Sequence, residues 1–166
     1  MREESWQPLV IDALSRSLGL APNGFHREVP TRDGSRLDLL YVGGGRCVGF
    51  EMKQGEPGEA LRALMGRDLR QLRHFGASCH ALYLVTLASP RRWGLSHDGR
   101  TITLDSLERQ LLPPGVGWIV FDVLTHDAVI LEPAPDNDTR DEDRRFLVDA
   151  VISRLKRQTR DAQRCR

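Results

Sequence analysis

Three side chains in the stretch RLDLLYVGGGRCVGFEMKQG have types and spacing that could do chemistry. They are Asp38 and, after twelve intervening residues, Glu51 and Lys53. If the apolar runs either side of GGGR pair as a hairpin, pleating puts Glu51 and Lys53 on one face and Met52 on the other. The same hairpin can bring Asp38 alongside Glu51. Two carboxylates so placed repel each other unless a cation lies between them. Oxygen ligands of this kind suit a hard ion such as magnesium or manganese. The ammonium supplies a point charge near an attacking water or a phosphate oxygen. Together these groups are suited to metal-assisted phosphodiester hydrolysis. E-x-K alone is common, and its plain reading is a cross-strand ion pair on an exposed face. The flanks GFEM and LDLLYV are apolar, however, and charges inside strands meant for a core are costly unless they are paired or used.

The surrounding chain must supply elements that hold these residues. EESWQPLVIDALSRSLGL reads as a helix, with Trp6, Leu9, Val10, Ala13, Leu14 and Ser17 on one face and a stop near Gly19. FHREVP reads as a strand, with Glu28 facing outward, and Asp33-Gly34 as a tight-turn dipeptide. SRLDLLYV and CVGFEMKQ follow as strands. Gly55, Pro57 and Gly58 break the chain before EALRALMGRDLRQLRHF, an amphipathic helix with Leu61, Leu64, Met65, Leu69, Leu72 and Phe75 on its apolar side. HALYLVTLA is dense enough in apolar residues for a central strand buried on both faces. DSLE carries a capping-box pattern for a short helix through Leu112, which Pro113-Pro114-Gly115 stops. GWIVFDV and AVILEPA read as two more strands. Phe146, Leu147, Ala150, Val151 and Leu155 mark a last helix, with a frayed tail expected after Lys156. The order α-β-β-β-α-β-α-β-β-α, with a helical crossover after the third strand, predicts an α/β fold with a mixed sheet and helices on both faces.

D-(x)12-E-x-K across a hairpin, with a helix before it and another after it, resembles the PD-(D/E)xK nuclease superfamily, which has the restriction-endonuclease-like fold. The resemblance covers about residues 3–88. It leaves 101–158 as a peripheral helix, hairpin and terminal helix, all within a single domain spanning 1–166. Leu37 stands where the superfamily usually has proline, a departure that removes no ligand. The resemblance implies metal binding by Asp38, Glu51 and the backbone carbonyl of Met52, with Lys53 assisting the attacking water. It also implies a glutamate from the first helix, for which Glu3 and Glu4 are the candidates. Glu3 lies about 50° from the centre of the apolar stripe and Glu4 about 150°, so phase favours Glu3. Acids at a helix start also serve simply to offset the macrodipole. Gln71, four residues before Phe75, matches a glutamine that many members carry on the helix after the lysine strand; a solvated helix position is its plain alternative. The implied activity is Mg- or Mn-dependent cleavage of DNA or RNA, as an endonuclease or exonuclease. The alternative is a catalytically silent nucleic-acid-binding or complex-forming module on the same fold.

Composition bounds these expectations. The chain has 166 residues, 40% hydrophobic and 28% charged, one domain's worth with enough length for a proper core. No apolar run approaches a membrane span, and the acidic, polar start is unlike a secretory leader, so a cytoplasmic protein is expected. Cys47, Cys79 and Cys165 fit neither a disulfide framework nor a zinc site, and the five histidines show no ligand spacing. The net charge of +1 argues against indiscriminate polyanion binding but leaves room for a local basic groove. Arg67 and Arg70 on the second helix, and Arg91 and Arg92 beside Trp93, are candidates to meet phosphates. Of the 24 basic residues only Lys53 and Lys156 are lysine. Cutting both strands of a duplex usually takes two sites, which makes a homodimer an expectation to test.

Overall fold

A computed structural model describes residues 3–54, 66–88 and 112–164, without the side chains of 3, 4 and 66–68. The expected short helix before Leu112 and the loop carrying Arg91 and Arg92 lie outside the described residues. A 3-10 turn (Glu3–Trp6) leads into helix α1 (Gln7–Leu18). Strands β1 (Phe25–Pro30), β2 (Arg36–Gly43) and β3 (Arg46–Gln54) follow as a meander. Helix α2 (Gly66–Ser78) returns the chain to β4 (Ala81–Ala88). Strands β5 (Val116–Asp122) and β6 (Ala128–Glu132) precede the long helix α3 (Asp141–Arg164).

All six strands form one sheet in sequential order. β1, β2 and β3 are mutually antiparallel, β3–β4 and β4–β5 are parallel, and β6 is antiparallel to β5. The fold is therefore α/β with a mixed sheet flanked by helices, consistent with the restriction-endonuclease-like architecture. The buried side chains form two core layers, one on each face of the sheet. Val10, Ala13 and Leu14 of α1 cover Leu39, Phe50, Met52, Val85 and Phe121 on one face. Leu72 and Phe75 of α2, with Leu147 and Val151 of α3, cover Leu37, Leu40, Leu82, Leu84 and Trp118 on the other. Gly49 lies under this second layer. A Cβ there would stand 2.8 Å from the Cys79 sulfur and 3.0 Å from Leu37 and Leu82. Cys47 and Cys79 are buried free thiols.

Three features depart from expectation. Part of the region expected to be peripheral is central: β5 sits inside the sheet and is buried along its whole length, as its apolar run GWIVFDV requires. The inward stripe of α1 is Gln7, Val10, Ala13 and Leu14, while Trp6 and Leu9 are half-buried and Ser17 is exposed. α3 does not fray after Lys156 but continues to Arg164. Asp141, Glu142 and Asp143 suit its positive N-terminal end, and its last turns are rich in Arg, Gln and Ala, which are good helix formers.

Candidate active site

The β2–β3 hairpin turns through Gly44 and Gly45, both at positive φ (57° and 74°), between the paired residues Gly43 and Arg46. Two central residues at positive φ give the mirror-image turn whose twist matches a hairpin, and glycine adopts it without strain. That turn fixes the register through Leu40↔Gly49 and Leu39↔Phe50. One step further along the same register, Asp38 faces Glu51.

At this step side-chain bonds take over from the backbone ladder. The Met52 N–H donates to Asp38 Oδ2 at 2.6 Å, and the Asp38 N–H donates to the Glu51 carboxylate. Each strand thus binds the other through a carboxylate. Met52 turns its side chain to the α1 face, fully buried. In an extended strand the N–H and C=O of one residue point to the same flank, so the Met52 carbonyl also faces the side where Asp38 lies. Lys53 Nζ lies 3.6 Å from Glu51 Oε1. The structure thus brings together Asp38, Glu51 and Lys53, with the Met52 backbone between them.

Glu51 is only 6% exposed, and its Oε2 has no hydrogen-bond partner among the described residues. Burial pushes its pKa up, and the neighbouring Asp38 charge pushes it further. The pull of Lys53 and two hydrogen bonds offsets these only partly, so the carboxyl titrates at about 8 instead of 4.5. Without a cation, Glu51 relieves the carboxylate apposition by holding a proton. A divalent ion would supply the missing partner for Oε2. Among the described residues no three His, Cys, Asp or Glu side chains gather as a metal-holding group. The donor set of two carboxylates and a carbonyl nevertheless fits magnesium, which commonly takes one or two carboxylates and keeps several waters.

The remaining candidates are less closely placed. The turn Glu3–Trp6 lies against β3, but the Glu3 and Glu4 side chains fall outside the described residues. Gln71 is half-buried on α2, the helix packed over the Glu51 face, and Phe75 beside it is fully buried. Arg70 is exposed, the Arg67 side chain is outside the described residues, and so are Arg91 and Arg92. On the far side of β3, Lys53 is level with Thr86 of β4. Thr86 is fully buried and accepts the Trp118 indole N–H at 3.1 Å, which makes a rigid polar strut beside the site.

The chain's fold is similar to that of the SPO1766 protein of unknown function from Silicibacter pomeroyi. The TM-score is 0.59 at 17% identity, covering 98% of this chain and 92% of that one. No protein-family model and no curated protein matches the chain. The similarity speaks to architecture alone.

Sequence reasoning missed two residues at the margin of the site. Glu28, expected to face outward on a regular strand, adopts a left-handed conformation (φ 48°) in β1, at the register step opposite Asp38. Its carboxylate accepts a 2.8 Å bond from the Gln7 amide, and Gln7 is 4% exposed. Arg154 of α3 donates to the carbonyls of Arg27 and Glu28. Left-handed backbone at a glutamate costs about 1–3 kcal/mol, and these partners from α1 and α3 hold it there. One signal was present: Gln7 stands in phase with Val10 and Leu14, a polar residue on an apolar stripe.

Proposed function

We propose that this chain is a metal-dependent nuclease of the PD-(D/E)xK type that hydrolyses phosphodiester bonds, with DNA as the favoured substrate and RNA as the other. The observation that carries the reading is the convergence of Asp38, Glu51 and Lys53 at the end of the hairpin ladder, with one buried carboxylate oxygen lacking a protein partner. Asp38, Glu51 and the Met52 carbonyl would hold magnesium or manganese, with Glu3 as the further acid that the resemblance implies. When bound, the ion lowers the pKa of a water and offsets charge on the phosphate.

The residues of the chain have separate tasks. The Met52 N–H fixes the direction of Asp38, and the Asp38 N–H does the same for Glu51. Glu51, whose pKa is raised, would release its proton to solvent in taking up the cation. Lys53, on the same face two residues on, orients the attacking water or a phosphate oxygen. Gln71 on the covering helix is assigned to positioning Lys53, a water or the scissile phosphate. Preorganised charge of this kind lowers a barrier because little reorganisation is left for the reaction itself.

The deciding experiment is cleavage of plasmid and single-stranded DNA by the purified chain with and without magnesium. The unmutated chain should cut only with the metal, and Asp38→Ala and Lys53→Ala should not cut. Binding without cutting by the unmutated chain would replace this reading with the catalytically silent module.

A further inference from the structure

We infer that the C-terminal part of α3, residues 155–164, is an arm that grips the phosphate backbone of a DNA duplex presented to the site. The inference rests on the nuclease reading for its choice of polyanion, but its structural grounds are separate. α3 packs on the sheet through Leu147 and Val151 and is tied to the β1 edge by Arg154, which donates to the Arg27 and Glu28 carbonyls. Every residue from Leu155 to Arg164 is exposed. The helix therefore leaves the body at Arg154 and runs on for about 15 Å.

Its charge is one-sided. At about 100° per residue, Lys156, Arg157, Arg160 and Arg164 fall within an arc of about 100°, spread over about 12 Å of helix. Asp161 is the single acid in the segment. Among the described residues none of these four cations forms a salt bridge, whereas the charges of the first turn of α3 are paired, in Arg32–Glu142, Arg32–Asp143 and Arg144–Asp141. Twelve ångströms matches a run of about three or four phosphates at the 3.4 Å rise of one DNA strand. The root of the arm is also in place. Arg154 donates to the carbonyl of Glu28, which stands opposite Asp38 in the register, so the arm is anchored to the strand next to the one that carries Asp38.

A second copy and a lipid surface fit less well. The groove beside the basic stripe is lined by Ile152, Leu155, Lys156, Thr159 and Arg160, so it offers two large apolar side chains. A second copy seated there would bring two stripes of like charge together, and a membrane-lying helix needs a broader apolar face.

The test is binding of a short labelled DNA duplex by the full chain, in EDTA so that nothing is cut, across a series of salt concentrations. The comparison is the variant Lys156→Gln/Arg157→Gln/Arg160→Gln/Arg164→Gln, with circular dichroism to confirm that α3 is retained. Should that variant lose helix, the pair Lys156→Gln/Arg160→Gln serves in its place. The quadruple variant should bind at least about tenfold more weakly at moderate salt, and its slope of log affinity against log salt should be shallower by about 3 to 4. For the pair the slope change should be about 2. Equal slopes and affinities would overturn the arm. So would loss of binding to phosphatidylserine vesicles, or loss of a dimer in sedimentation, with DNA binding unchanged. Arm-dependent binding by a chain that never cuts would support the arm and sink the nuclease reading, which separates the two failures.

Discussion

Glu51 and Lys53 are two residues apart on one strand, yet their surroundings ask different things of them. Lys53 is part-exposed at the rim, whereas Glu51 is enclosed beside a second carboxylate. Lys53→Ala should therefore abolish turnover while leaving stability within about 1–2 kcal/mol, because truncating a rim side chain opens no cavity in the core. Urea denaturation checks this, and unfolding of the variant would make Lys53 a structural residue. Glu51 should behave in the opposite way. Its folded pKa, about 8, lies above the ordinary 4.5. Between these values the folded chain holds a proton that the unfolded chain has released, so this residue's contribution to stability falls as pH rises from about 4.5 and is fully lost above about 8. Glu51→Gln removes the titration. In EDTA the variant should match the unmutated chain near pH 5 and exceed it at pH 8, by about 2–4 kcal/mol. A difference that stays constant across those two pH values would show that Glu51 ionises normally.

At the scale of elements, local chemistry decides what can be read ahead. The Gly44-Gly45 turn, the alternation of β2 and β3 and the dense apolar run of β4 each announce themselves. They were enough to place Asp38 against Glu51 with Lys53 on the same face. Long-range partners are what the sequence hides. The left-handed backbone of Glu28 depends on Gln7 and Arg154, from elements 21 and 126 residues away in the chain. Thr86 reads as an ordinary strand residue until Trp118, 32 residues on, donates to it. The central position of β5 follows from parallel pairing with β4, which no local pattern encodes. Gly49 belongs to the same class. It looks like a weak point in a strand, but it is the gap that lets Cys79, Leu37 and Leu82 close over the sheet. Gly49→Ala should cost about 1–3 kcal/mol through overpacking, read as a lower urea midpoint. Its Cβ would lie in the core below the site, so metal-dependent cleavage per folded molecule should persist. A neutral substitution would mean that this layer can shift to admit a methyl group.

For the whole molecule, the proposed metal site would couple folding to cation binding. Asp38 and Glu51 come from different strands, and the packing of both core layers forces them together. The unfolded chain has no such apposition, so a divalent ion bound there stabilises the folded state alone. At a concentration about a hundred times its Kd, the ion should add about 2.7 kcal/mol, or roughly 5–11 °C in Tm for a chain of this size. Because the ion must displace the proton on Glu51, the shift produced by a fixed metal concentration should grow from pH 6 to pH 8. Asp38→Asn should remove the shift at both pH values without unfolding the protein, because the amide oxygen can still accept the Met52 N–H. Thermal melts with and without magnesium or manganese would measure this. If no ion moves the melting temperature of the unmutated chain at either pH, the two carboxylates are held together by a shared proton instead. The same fold would then present Lys53 and its neighbours as a surface for binding nucleic acid, with no hydrolysis to follow.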